Sequence, residues 1–81
     1  MSTAVTEDQI EQVVFEALES FGAEREQISR TATLEELSID SLDLAELSQI
    51  VHERFGVELR GADVAEVSTV QDAIKLIAGR L

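Results

Sequence analysis

Three stretches of this chain repeat apolar residues at steps of three and four, and no stretch alternates them at steps of two for any length. That rhythm marks one face of a helix, so the sequence predicts an all-α fold. In the first stretch the stripe is Ile10, Val13, Val14, Ala17, Leu18 and Phe21. Thr6 and Gln9 stand at capping-box spacing before it, with Glu7 and Asp8 in the first turn where the helix dipole favours acids. Gly22 follows and stops it.

The second stretch starts near Asp40 and runs to Phe55, with Leu44, Leu47, Ile50, Val51 and Phe55 as its stripe and Gly56 as its stop. The third carries Val70, Ala73, Ile74, Ile77, Ala78 and Leu81, with Ser68 and Gln71 at capping-box spacing. Between these two, Val57-Glu58-Leu59 leads through Gly61 into residues 62–67, enough for a turn or two of helix. The expected architecture is a small four-helix bundle: three longer helices, one short helix, and a long loop between helices 1 and 2. At 81 residues the chain holds one core, so residues 1–81 are expected to be a single domain.

The loop of residues 22–39 lacks a period but is anchored by Ile28, Leu34, Leu37 and Ile39. Thr33-Leu34-Glu35-Glu36 has the pattern of a capped single turn. Long loops inside compact domains are more often functional than incidental. With only Phe15, Phe21 and Phe55 as aromatics, the core is expected to be Val, Ile, Leu and Ala.

Seventeen acids against six bases leave a net charge of −11. Binding nucleic acid takes clustered Lys and Arg, and an anionic membrane would repel such a chain, so neither is an expected partner. Proteins with basic docking patches are. Without cysteine there is no disulfide or thiolate metal site, and no apolar run is long enough to insert in a membrane. Met1-Ser2-Thr3-Ala4 lacks the basic and apolar segments of a leader, and a cytoplasmic monomer is expected.

Little in the chain can do chemistry: one histidine (His52), one lysine (Lys75), and no cysteine, tyrosine or tryptophan. The leading reactive group is the hydroxyl of Ser41, in Asp40-Ser41-Leu42-Asp43 at the mouth of the second helix. Asp40 or Ser41 at that place also reads as an ordinary helix cap. At about 100° per residue, Leu42 lies roughly 140° from Leu47, off the buried stripe. The outward face then holds Ser41, Leu42, Ala45, Glu46, Gln49, His52 and Glu53, a leucine and a serine ringed by acids. A nucleophilic serine needs a base within reach, and His52, eleven residues on, lies about 16 Å along the helix axis. Ser41 is therefore not read as a catalytic nucleophile, and the chain is read as no enzyme.

Leu37-Ser38-Ile39-Asp40-Ser41-Leu42-Asp43-Leu44-Ala45-Glu46-Leu47 strongly resembles the prosthetic-group site of acyl carrier proteins. Phe55-Gly56-Val57-Glu58-Leu59 and Ser68-Thr69-Val70-Gln71-Asp72-Ala73-Ile74 resemble the same family. The likeness implies that Ser41 is esterified with 4′-phosphopantetheine from coenzyme A, which makes a phosphoprotein whose distal thiol carries acyl groups as thioesters. The thiol arrives with the cofactor, consistent with a chain that has no cysteine. A helix N-terminus suits the phosphate, while Asp40 and Asp43 oppose it by like charge.

The resemblance further implies partner enzymes of fatty-acid or polyketide synthesis: a phosphopantetheinyl transferase, an acyltransferase, a ketosynthase and others with basic patches. It places Asp40, Leu42, Asp43, Ala45, Glu46 and Glu53 on the partner-facing surface. It also implies that the acyl chain shelters between helices, with Leu34, Leu37, Ile39, Leu47 and Ile50 as candidate pocket residues. Ala45 stands where many fatty-acid members have valine. His52 and Arg54 interrupt a segment that is often acidic, and Arg60-Gly61 replaces one richer in acids or proline. These departures bear on which synthase is served, and a chain with its own Met1 fits a dissociated system.

Three other readings share the charge and the stripes. A discrete aminoacyl or peptidyl carrier would differ in what a ligase loads, and Ser38-Ile39-Asp40 counts against it. An acidic helical interaction module without a prosthetic group would bind its partner equally well as Ser41→Ala. A calcium sensor would need a twelve-residue glycine-turned loop, which is absent.

Overall fold

The computed structural model describes residues 5–81, so Met1-Ser2-Thr3-Ala4 and the reading made of them lie outside it. Four α-helices follow in order: α1 (Glu7–Ser20), α2 (Ser41–Phe55), α3 (Gly61–Ala65) and α4 (Val70–Arg80). A single 3-10 turn, Arg25–Gln27, interrupts the loop between α1 and α2. No strand forms among the described residues, and one isolated antiparallel bridge joins Thr33 to Thr69.

The ends of α1 lie where the sequence puts them. The Thr6 hydroxyl accepts from the Gln9 N–H, and the Gln9 side chain accepts from the Thr6 N–H, a complete capping box. At the far end Gly22 takes φ 109°, its N–H donating to the Glu19 carbonyl while the Ala23 N–H donates to Leu18. That pair of bonds is a Schellman stop, which favours glycine at its left-handed position. In α2, Gly56 at φ 71° closes the helix with an N–H bond to the His52 carbonyl.

Two boundaries move. The cap of α4 is Thr69 with Asp72, one residue later than the Ser68–Gln71 pair read from spacing. The Asp72 carboxylate accepts from the N–H groups of both Ser68 and Thr69, a stronger bond at a positive helix end than a neutral glutamine amide offers. The short helix runs over Gly61–Ala65 and not 62–67, because Asp63 accepts from the Arg60 N–H and starts it one residue earlier.

α1 packs most extensively against α4 and next against α2. The core between them contains only Val, Ile, Leu and Ala, and Ile10, Val14, Leu18, Val51, Val70, Ile74 and Ile77 are its most deeply buried side chains. Phe15, Phe21 and Phe55 pack at its margin, with Leu44 and Ile50 also half-buried. Leu81, placed on the α4 stripe by period alone, is about half exposed because the helix ends at Arg80.

The long loop is fastened at several points. Ile28, Leu34, Leu37 and Ile39 all enter the core. The Arg30 guanidinium binds both Glu7 and Glu11 on α1, the Glu7 contact at 2.8 Å. The carbonyls of Ala32 and Arg30 accept from the Val70 and Gln71 N–H groups at 3.0 and 2.9 Å. Loop backbone thus satisfies two donors that the first turn of α4 would otherwise leave open.

Candidate functional site

Asp40, not Ser41, caps α2. Its side chain accepts from the Asp43 N–H at 3.0 Å while the Asp43 carboxylate accepts from the Asp40 N–H at 3.2 Å. Ser41 is the first helical residue, exposed, and its hydroxyl is not spent on the cap. The Ser41 and Leu42 N–H groups have no acceptor among the described residues, so the helix entrance keeps two free donors beside that hydroxyl.

The segment leading into Ser41 is held firmly. The Thr33 hydroxyl accepts from the Glu36 N–H, and the Glu36 carboxylate accepts from both the N–H and the hydroxyl of Thr33. Those bonds hold the Glu36 carboxylate below its usual range, the Thr33 backbone N–H contributing most. The turn ends on Ser38 at φ 60°, with the Ser38 N–H donating to Glu35 and the Ile39 N–H to Leu34. This is a second Schellman stop, with buried Leu34 and Ile39 as its apolar pair.

Ser41 also lines a groove of about 410 Å³ between α2 and α3, whose walls are mostly apolar: Leu44, Ala45, Leu59, Val64 and Ala65, with Ser48 and Gly61. A narrow extension inward past Leu47, Val67, Ala73, Leu76 and Ile77 holds only about 10 Å³. That is room for no more than one water, so the groove is closed on its core side.

A family model for the phosphopantetheine attachment site matches residues 11–77. The chain is 35% identical over 75 residues to an acyl carrier protein of Nitratidesulfovibrio vulgaris, covering 91% of this chain and 95% of that one. The chain belongs to the acyl carrier protein family. The solution structure of the 3,7-dioxo-octyl actinorhodin acyl carrier protein from Streptomyces coelicolor is 26% identical, covers 99% of this chain and 94% of its own, and superposes with a TM-score of 0.73. A crystal structure of an acyl carrier protein from Thermotoga maritima shares the fold at a TM-score of 0.74, with 23% identity over 90% of this chain and 86% of that one. Members carry a phosphopantetheine arm and are carriers, not catalysts.

In this carrier the outward face of α2 is as read from its period: Ser41, Leu42, Ala45, Glu46, Gln49, His52 and Glu53 are all exposed. Leu42 is 79% exposed. Asp40 is exposed and Asp43 half-buried, both tied into the cap, so each has a structural duty besides any contact with a partner.

The candidate pocket residues separate. Leu34, Leu37 and Ile39 are buried in the main core and do not line the groove beside Ser41. Ile50 packs against the same core, and Leu47 alone reaches the narrow extension. The cause is rotation: residues 44, 45 and 48 turn toward α3, whereas Leu47 and Val51 point into the bundle. Leu44, Leu59, Val64 and Ala65 were missed as groove residues. The signal for them was Ser41, Ala45 and Ser48 following one another along one side of α2.

Among the described residues, no helix is long and apolar enough to cross a membrane, and no group of three His, Cys, Asp or Glu residues is placed to hold a metal.

Proposed function

We propose that the single domain of residues 1–81 is an acyl carrier whose attachment residue is Ser41. The observation that carries this reading is the division of labour at the α2 entrance: Asp40 supplies the cap and leaves the Ser41 hydroxyl exposed. The residues fit 4′-phosphopantetheine from coenzyme A, because the Ser41 and Leu42 N–H groups are free donors at a positive helix end for its phosphate. The arm supplies a thiol on which acyl groups ride as thioesters. The apolar groove of Leu44, Ala45, Leu59, Val64 and Ala65 offers the methylene parts of arm and cargo a surface to lie against.

Leu42 is the apolar anchor for partner enzymes, with Asp40, Asp43, Glu46 and Glu53 steering their basic patches and Ala45 a shallow contact beside them. Those partners are a phosphopantetheinyl transferase, an acyltransferase and a ketosynthase of fatty-acid or polyketide synthesis. The carrier meets them as a cytoplasmic monomer.

The test is intact mass before and after incubation with coenzyme A and a broad-specificity phosphopantetheinyl transferase, with Ser41→Ala alongside. The expected result is a gain of one phosphopantetheinyl group that the variant lacks. No gain from folded, unmodified protein removes Ser41 as the attachment site.

A further inference from the structure

The groove beside Ser41 does not end where its apolar walls end. Ser48 and Leu59 also wall a neighbouring depression of about 260 Å³, completed by Gln49, His52 and Glu58. The two adjoin at Ser48 and Leu59, and taken together they make a track along α2, apolar near Ser41 and polar at the far end.

Its length matches a tether. Ser48 and His52 follow Ser41 at seven and eleven residues on the same side of α2, so His52 lies about 16 Å along the axis. A phosphopantetheine arm has about fourteen bonds from the serine oxygen to its sulfur. With the bond geometry of an extended peptide, about 3.3–3.6 Å for every three bonds, it spans roughly 16 Å. An arm laid along the track therefore brings its thioester to Gln49, His52 and Glu58.

The chemistry there is specific. The Gln49 amide and the His52 ring both offer N–H donors, and both side chains are exposed. Glu58 sets a negative charge beside them, and no Lys or Arg lines the depression to receive an anion. Carbonyl oxygens without charge are accommodated, and a carboxylate is repelled. A saturated chain covers these polar groups without satisfying them, which costs free energy.

We propose that Gln49, His52 and Glu58 form a subsite for the thioester end of the loaded arm, suited to 3-oxoacyl cargo whose two adjacent carbonyls meet the two donors. The inference rests on Ser41 carrying the arm.

The test uses the full chain in its apo, holo, butyryl and acetoacetyl forms, checked by mass and followed by NMR of the His52 ring and Gln49 side-chain amide. Butyryl and acetoacetyl differ only in the keto group at the third carbon. The acetoacetyl form is expected to shift both signals at least twofold more than the butyryl form. In Gln49→Ala, the acetoacetyl-induced shift of the His52 ring is expected to fall by at least half, while the Leu44 methyl shifts persist. Equal shifts with both cargoes, or none relative to apo protein, overturn the subsite while leaving the carrier role intact. Failure to gain an arm at all, visible by mass beforehand, overturns the carrier reading and this inference with it.

Discussion

The Ile39 N–H donates to the Leu34 carbonyl at 2.9 Å, across a turn whose next-to-last residue, Ser38, is held at φ 60°. A serine there occupies a conformation that glycine adopts freely, and it does so three residues before Ser41, the proposed attachment residue. The left-handed region costs an L-residue about 1–2 kcal/mol, against about 0.5–1 kcal/mol of extra unfolded-state freedom for glycine. Ser38→Gly is therefore expected to stabilise the fold by about 0.5 kcal/mol, and Ser38→Val to destabilise it by at least about 1 kcal/mol. Urea unfolding midpoints check both, and a less stable glycine variant would show that the turn stores no strain.

The capping box lets stability be separated from recognition. Asparagine caps a helix about as well as aspartate, so Asp40→Asn is expected to keep stability within about 0.5 kcal/mol, whereas Asp40→Ala loses about 1 kcal/mol. If the Asp40 charge steers partners, Asp40→Asn slows modification by a phosphopantetheinyl transferase several-fold with no change in melting. Unchanged modification kinetics would confine Asp40 to its cap.

Two leucines five residues apart should behave oppositely. Leu47 is 4% exposed and Leu42 79%. Leu47→Ala is expected to cost about 2–5 kcal/mol by leaving a cavity. Leu42→Ala should stay within about 0.5 kcal/mol in stability and lose partner turnover. A large loss of stability in Leu42→Ala would count against its docking role.

Acidification should act in two directions. Glu7 is held below its ordinary pKa of 4.5 chiefly by its bond from Arg30, and Glu36 by the Thr33 N–H. Asp63 and Asp72 lie below 3.8, chiefly through the N–H groups of Arg60 and Thr69. A depressed carboxylate contributes stability that is fully present above its unfolded pKa and lost as pH falls through the lower folded value. Protonating the remaining acids, meanwhile, relieves self-repulsion at a net charge of −11. The melting temperature is expected to rise by several degrees from pH 7 to about 5, then fall below about 4. Added sodium chloride at pH 7 should raise it too, by screening. A flat profile against both pH and salt would mean that the acids repel one another far less than their number implies.

Much of this was legible in the sequence. The stripes of α1 and α2 and the stops at Gly22 and Gly56 follow from local periodicity and backbone freedom, which act within a few residues. The exposed face of α2 followed from the same period. The groove did not, because it depends on where α3 lies, and a five-residue helix with no buried side chain leaves almost no periodic trace. Leu34, Leu37 and Ile39 were legible as buried but not in what they bury against. Arg30 was equally opaque: its bonds to Glu7 and Glu11 span a loop whose path no local pattern encodes.

The bonds from Gln71 to Arg30 and from Val70 to Ala32 join residues 41 and 38 positions apart. Contacts of such separation carry a large loop-closure entropy and form after local helices have assembled. The loop that delivers Ser41 is therefore fastened by long-range bonds, and that fastening is shared with α4. Hydrogen exchange at the Val70 and Gln71 amides reports the opening of that seam directly. Any fluctuation that frays the start of α4 also loosens the approach to Ser41, the residue proposed to receive the arm.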